Sequence, residues 1–291
     1  MGGDFEEQIR ATNEAINART GRPLLRAILV GLLLGGALLV SLLVIKELYM
    51  LFAGALVAFA SYELATALRS TGRDVPRIPT IVAAIAIVPA SFYFLAQGLW
   101  LATLGAMALV TLWRLAEMIR PSTRVPRKNL LRDIRAGVFI MAYVGFMASF
   151  TVLLTAQEGG QFWTLAFLIV VISIDTGAYA TGLAFGKHKM APVISPKKTW
   201  EGFAGSVVAG LIAGVLLAIF MLQQPWWVGV VLALAMVVTA TTGDLAESLI
   251  KRDLGIKDIS TWLPGHGGFL DRVDSSLLSG AAAYGLFLLF A

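Results

Sequence analysis

The chain has 291 residues, 58% of them hydrophobic and 14% charged, with a formal net charge of +5 and no cysteine. Soluble domains carry about 25% charged residues, so this composition points to a polytopic membrane protein and leaves little sequence for extramembrane domains. The lack of cysteine excludes disulfides, thiolate metal sites and a cysteine nucleophile, and two histidines, His188 and His266, argue against a histidine-rich zinc site.

Residues 1–23 are polar and mildly amphipathic, with Ile9 and Ile16 set among Glu6, Glu7, Arg10 and Arg19. They read as a cytoplasmic or interfacial helix rather than a signal peptide, because no small-residue cleavage site follows the first apolar run. Apolar stretches then occupy 24–45, 47–68, 78–96, 99–118, 134–156, 161–185, 203–222, 226–250 and 274–291. Each approaches the roughly 20 residues needed to cross a hydrocarbon core of about 30 Å. The predicted fold is an all-α polytopic transmembrane bundle of about nine spans. Its parts are a polar segment at 1–23, five spans within 24–160 and four chemistry-bearing spans within 161–291.

The loop charges alternate. Arg69, Arg73 and Arg77 follow the second span, and Arg120, Arg124, Arg127, Lys128, Arg132 and Arg135 follow the fourth. Lysines cluster after the sixth span and Lys251, Arg252, Lys257 and Arg272 after the eighth, whereas the opposite loops hold only Lys46, Glu47 and Glu158. The positive-inside bias then places the N-terminus in the cytoplasm and the C-terminus outside. It also explains the basic excess without nucleic acid. No internal repeat is visible, which disfavours a transporter built from inverted halves. The stretches GLLLGG at 31–36 and GSVVAGLIAG at 205–214 predict close helix packing. Trp100, Trp163, Trp226 and Trp227 read as interface anchors.

Charges beside apolar spans are expensive and mark sites. Asp175 lies inside the run VVISIDTGAYATG. Beyond it, Ser195-Pro-Lys197-Lys198-Thr199-Trp-Glu201-Gly combines lysines and hydroxyls at a helix start, a mixture suited to phosphate. A plain positive-inside loop would account for Lys187 and Lys189 but not for this mix. The stretch from Gly243 to Asp274 holds six carboxylates and four Lys or Arg. Asp244 and Glu247 share a helix face, as do Asp271 and Asp274. Glu247 with Lys251 reads as a helix ion pair that leaves Asp244 free for a cation. Between the two acid pairs, Pro264-Gly265-His266-Gly267-Gly268 offers backbone N–H groups to a ligand. Paired carboxylates around a glycine turn, with lysines nearby, suit Mg²⁺ and a polyphosphate. The chemistry indicated is phosphoryl or nucleotidyl transfer between a cytosolic substrate and a lipid.

Ser248-Leu-Ile-Lys-Arg, four residues, Lys257-Asp258, then Leu263-Pro-Gly-His-Gly-Gly-Phe-Leu-Asp271-Arg-Val-Asp274 resembles the motif of the phosphatidate cytidylyltransferase (CDP-diglyceride synthase) family, without departure over its 27 residues. The segments around Asp175 and Ser195 are also similar to that family, whereas the first 160 residues match only as a set of spans. The resemblance implies that CTP and phosphatidate give CDP-diacylglycerol and pyrophosphate, by attack of the phosphatidate phosphate on the α phosphorus. It implies Asp244, Asp271, Asp274 and Asp175 as ligands of divalent ions, expected to be two Mg²⁺, with Asp244, Asp271, Lys251 and Asp274 at the reacting centre. Lys197, Lys198, Lys251 and Arg252 would hold phosphates. Ser195, Thr199, Lys257, His266, Gly267, Gly268 and Arg272 complete the binding set, His266 as a turn or phosphate contact rather than a base. The expected setting is a bacterial inner membrane with the site facing the cytosol, and a homodimer is compatible with the family. The rival readings are another CTP-dependent lipid enzyme, either a lipid kinase or a cytidylyltransferase for a different lipid acid, and, much less favoured, a transporter.

Overall fold

Long apolar runs in lipid must satisfy their backbone N–H and C=O groups internally, which leaves helices as the economical solution. The structure, a computed structural model, describes residues 24–119, 129–260, 262 and 267–291. The polar segment 1–23, the basic residues Arg120, Arg124, Arg127 and Lys128, and the turn residues Pro264, Gly265 and His266 lie outside the described residues.

In chain order the helices are α1 (Leu24–Leu43), α2 (Lys46–Ser70), α3 (Arg77–Ile119), α4 (Leu130–Ala156), α5 (Gly160–Phe185), α6 (Trp200–Phe220), α7 (Trp226–Asp253) and α8 (Leu270–Phe290). Among the described residues, seven of them, α2 to α8, are long and apolar enough to cross a membrane. The chain is therefore an all-α, multi-span bundle. The nine apolar stretches of the sequence reading are distributed over these eight helices. The stretches 78–96 and 99–118 both fall within α3, and α1 is an apolar helix packed against α2.

A straight α3 of 43 residues would be roughly 65 Å long, about twice the hydrocarbon core. It does not run straight. Leu95 adopts φ 53° and ψ −138°, and beyond it Gly98 comes so close to Ala90 that an added Cβ would lie 1.9 Å from the Ala90 carbonyl oxygen. The chain thus reverses beside the expected Gln97-Gly98 turn. Within α4, Met141–Phe146 form a π-helical segment, a feature frequent near functional sites.

Between α5 and α6 the chain is not a plain loop. Strands β1 (Lys189–Ala191) and β2 (Ser195–Thr199) pair antiparallel, with Lys189 opposite Thr199 and Ala191 opposite Ser195. Thr199 caps α6 by accepting a hydrogen bond from the Gly202 N–H at 3.1 Å, the role that hydroxyl residues fill at helix starts.

Lipid tails are as apolar as leucine, so helices in a membrane associate through close packing rather than through hydrophobic burial. Glycines supply that closeness here. A Cβ on Gly205 would lie 2.0 Å from Thr181 Oγ1, locking α5 on α6, and one on Gly214 would lie 2.5 Å from the Gly229 carbonyl, locking α6 on α7. The expectation for 205–214 holds. That for 31–36 is not met at Gly35 and Gly36, where a Cβ would have nothing within 4 Å among the described residues. Trp163 is also not an interface anchor: it is buried and meets Phe287 edge-on at 5.9 Å, whereas Trp100 and Trp226 are exposed as expected.

Two cores result. One joins α2, α3 and α4 with Leu270 and Leu277 of α8, and the other joins α5 and α7 with Ala283 of α8. Helix α8 is the seam between them, and its first turn carries the acids of the site. The described charged loops gather at one end of the bundle, where Arg73 meets Asp253 at 3.6 Å and Arg252 meets the Ile194 carbonyl at 3.3 Å. Lys46 and the Gln157 carbonyl meet at the other end.

Candidate functional site

The last two turns of α7 abandon the apolar pattern but not the helix. Asp244, Glu247, Ser248 and Lys251 recur at three- and four-residue intervals and so share one face. That face meets α8. Lys251 Nζ lies 2.5 Å from Glu247 Oε2 and 2.8 Å from Asp271 Oδ1. The other Asp271 oxygen accepts the Gly268 N–H at 2.8 Å. Gly267 holds φ +82°, and a Cβ there would sit 2.9 Å from Asp271 Oδ2, so this position needs both the conformational freedom and the small size of glycine. An acid in the first turn of α8 also gains from the helix dipole.

One turn on, Asp274 is buried, and its Oδ1 accepts the Ser275 N–H at 2.6 Å. Gly243 lies directly against it: a Cβ would be 2.5 Å from the Asp274 carbonyl oxygen. The α7 and α8 backbones therefore touch where the acids are densest.

The β-ribbon brings the second element of the sequence reading to the same place. Lys198 Nζ contacts Asp244 Oδ2 at 2.6 Å, and Ser248 Oγ approaches Asp244 Oδ1 at 3.4 Å. Successive strand residues point to opposite faces, and Lys197 is accordingly exposed and turned away. Ser195 is half-buried on the same strand, while the Thr199 hydroxyl is committed to the α6 cap. Glu201 fixes the ribbon's entry by accepting the N–H groups of Lys187 and His188 at 3.1 and 3.2 Å, and its carboxylate meets His188 Nδ1 at 2.6 Å.

Asp175 on α5 lies within the electrostatic reach of Asp244, Lys198 and Arg272. With Arg272 it marks the polar part of a cavity of about 260 Å³, otherwise walled mainly by apolar residues such as Phe52, Val57, Leu168 and Phe269. Arg252 is exposed and donates to Ile194, and Lys257 is exposed beyond the end of α7. His266 is outside the described residues.

One residue of the site was not read from the sequence. Glu63 of α2, buried at 2% exposure, accepts the N–H groups of Phe269 at 3.0 Å and Leu270 at 2.9 Å, and the Ser260 hydroxyl at 2.5 Å. Around it Phe59 stacks on Phe269 at 4.5 Å, Trp262 lies 5.0 Å from Tyr62, and the Arg77 guanidinium sits over Tyr62. Helix α2 thus anchors the approach to α8. A lone glutamate in an apolar run was the available signal, the same one that drew attention to Asp175.

Among the described residues, no group of three or more acids or histidines converges closely enough to hold a metal ion. Asp244, expected to be free for a cation, is paired with Lys198, and Asp271, expected as a ligand, is paired with Lys251. The donor set still suits a divalent ion. Among the described residues, five carboxylates, Asp175, Asp244, Glu247, Asp271 and Asp274, gather near three cations, Lys198, Lys251 and Arg272, and Lys251 is shared between Glu247 and Asp271. Magnesium commonly takes one or two carboxylates and completes its shell with water and substrate phosphates.

A family profile described as "Cytidylyltransferase family" matches residues 25–290. The chain is 41% identical to the phosphatidate cytidylyltransferase of Mycobacterium bovis, over 92% of this chain and 89% of that protein. It is equally identical to that of Mycobacterium tuberculosis, over 92% of this chain and 83% of the relative. The protein of the same name from Brucella suis is 43% identical over 54% of this chain and 57% of its own length. With Asp244, Asp271, Asp274, Lys198 and Lys251 gathered at the α7–α8 junction, and likeness extending along nearly the whole chain, the protein belongs to the phosphatidate cytidylyltransferase family.

Proposed function

We propose that the protein transfers the cytidylyl group of CTP to phosphatidate, giving CDP-diacylglycerol and pyrophosphate in phospholipid synthesis. The observation that carries this reading is the α7–α8 junction, where Lys251 is shared by Glu247 and Asp271 and Lys198 reaches Asp244. The apolar cavity bounded by Asp175 and Arg272 supports a lipid as the second substrate, its chains against the apolar wall and its phosphate near the guanidinium.

A phosphatidate phosphate is already an anionic nucleophile, so no strong base is required. Its oxygen bonds to the α phosphorus of CTP while the bond from that phosphorus to the α,β-bridging oxygen breaks, and pyrophosphate leaves with the electron pair on that oxygen. Catalysis is then alignment and charge neutralisation. Lys198 and Lys251 are the cations for the phosphates of CTP, which compete for them with Asp244 and Asp271. Arg272 orients the lipid phosphate, and the Gly267-Gly268 backbone keeps Asp271 in place. Asp244, Asp271, Asp274 and Asp175, with Glu247 beside them, would hold Mg²⁺, which when bound neutralises phosphate charge. The charged end of the bundle faces the cytosol, the source of CTP, in a bacterial inner membrane. The N-terminus then lies in the cytosol, and the chain works as a monomer or as a homodimer.

The test uses purified protein in micelles containing phosphatidate, with CTP labelled at the α phosphorus and Mg²⁺. Label enters the lipid and pyrophosphate is released by the parent, and both fall at least 100-fold in Asp271→Asn. Release of CDP with no label in the lipid would instead identify a lipid kinase. Untouched CTP with a folded protein and a range of phosphatidic acids would end the proposal.

A further inference from the structure

A second basic site lies outside the α7–α8 centre. Arg73 after α2, and Arg132 and Arg135 in the first turns of α4, line a cavity of about 550 Å³, closed on the third side by the end of α7. Its apolar walls include Leu68, Phe139 and Leu254. Arg132 and Arg135 are three apart and share a helix face. The carboxylate lining the cavity is Asp253, 3.6 Å from Arg73.

The charge here is left uncompensated, in contrast to the guanidinium next door. Arg114, buried near the same end of the bundle, is neutralised by Asp74 at 2.9 Å, Glu117 at 2.6 Å and Asp133 at 2.8 Å. Those three carboxylates neutralise it within the packed bundle. Arg132 instead donates to the Gly72 carbonyl, and Arg135 is exposed with no carboxylate in ion-pair distance among the described residues. Three guanidiniums against one carboxylate leave the cavity with a net charge of about +2.

We infer that this cavity binds the phosphate headgroup of an anionic phospholipid, with the start of its acyl chains on the Leu68–Phe139–Leu254 wall. Basic pockets between membrane helices at a charged bundle end have this ligand chemistry, and the volume falls within the range of small-ligand sites. Leu131 and Leu249 beside it are more than half exposed, which gives acyl chains an apolar surface on which to lie. A soluble polyanion would have no use for such walls. Leu249, Ile250 and Asp253 contribute to the cavity from the same two turns of α7 that carry Glu247 and Lys251 on another face. Occupancy therefore stiffens the helix that presents the site. The ligand is either a non-substrate lipid such as phosphatidylglycerol or phosphatidate itself, and the shared feature is the lipid phosphate.

The test is thermal unfolding of the full chain in phosphatidylcholine micelles, with phosphatidylglycerol or phosphatidate added and no CTP present. The parent and Asp271→Asn are compared with Arg135→Gln and with Arg132→Gln/Arg135→Gln. At a lipid concentration ten times the dissociation constant, the Tm of the parent and of Asp271→Asn rises by about 3–6 °C. The rise with phosphatidylglycerol disappears in the double variant and is at least halved in Arg135→Gln, whose side chain has no described partner to lose, whereas with phosphatidate the double variant keeps only the part owed to the substrate cavity. A rise with both lipids that the double variant loses or reduces identifies the site as general for lipid phosphate, and a rise with phosphatidate alone that the double variant reduces identifies it as a reservoir for that lipid. No rise in the parent, or an equal rise in the double variant, overturns the inference. Because phosphatidylglycerol is not the proposed substrate and no turnover is needed, the outcome with that lipid is independent of whether the proposed reaction stands.

Discussion

Replacing Glu63 by Ala tests whether α2 positions the α8 acids. In the structure the Glu63 carboxylate accepts two backbone N–H groups, those of Phe269 and Leu270, and the Ser260 hydroxyl. Truncation leaves both N–H groups without an acceptor in a buried setting, and each such loss costs about 1–3 kcal/mol. The two losses together withdraw about 2–6 kcal/mol from the segment that holds Gly268 and Asp271. If only the lower end, about 2 kcal/mol, is expressed in the reaction barrier, where about 1.4 kcal/mol is tenfold, kcat falls by roughly 30-fold, and by more if more of the loss reaches the barrier. The assay is incorporation of α-labelled CTP into micellar phosphatidate, with kcat and KM separated and the Tm measured beside them. Glu63→Gln keeps one acceptor oxygen and is expected to recover part of kcat. The signature of positioning is a kcat effect that exceeds the change in KM and persists well below the Tm of the variant. A folded Glu63→Ala protein with kcat within about twofold of the parent would refute the reasoning.

The adjacent lysines of β2 should separate. Lys198→Ala is expected to raise the KM for CTP by about tenfold or more through loss of one charge-assisted contact, whereas Lys197→Ala, exposed and turned away from Asp244, changes it less than threefold. Steady-state titration of CTP decides, and equal effects would mean that the ribbon does not hold its register. Gly214→Leu forces side-chain atoms onto the Gly229 carbonyl, which cannot yield, and should lower stability by about 1–3 kcal/mol or more. Gly36→Leu, with open space around it, should leave the Tm within about 1 °C. A Gly214 variant as stable as the parent would mean that α6 and α7 do not meet as closely as described.

The spans were legible because hydropathy alone dictates them, and the helix limits fall within a few residues of the apolar runs. The disagreements have local causes. Helix α7 continues to Asp253, beyond the apolar run ending near 250, because its polar residues keep the helical interval and therefore a common face. Trp163 reads as an interface anchor by composition, but Phe287, over a hundred residues away, gives it a buried aromatic partner. The β-ribbon has no legible alternation, since Ser195-Pro-Lys-Lys-Thr is short and polar on both faces. Gly35 and Gly36 look like Gly205 in sequence and differ in that, among the described residues, nothing lies within 4 Å of a Cβ added at either.

The site was half legible for a related reason. A spacing of three or four residues identifies partners on one helix, so Asp244 with Glu247 and Asp271 with Asp274 could be found. Spacing does not say which cation crosses between helices. Lys251 looked like the private partner of Glu247, and the structure has it bridging to Asp271 while Lys198 takes Asp244. Glu63 was overlooked although two rules converged on it. The first N–H groups of any helix need acceptors from outside it. Helix α8 begins after Gly-Gly-Phe, and its N-cap residue, Phe269, has no side chain able to accept. Some other carboxylate, hydroxyl or carbonyl had to arrive from elsewhere in the chain. An apolar span carrying one unexplained glutamate was the place to look, because burying that charge is costly unless it is hydrogen-bonded. A helix without its own cap and an acid without its own partner each predict the other, and pairing such deficits along a membrane sequence locates contacts that no local period encodes.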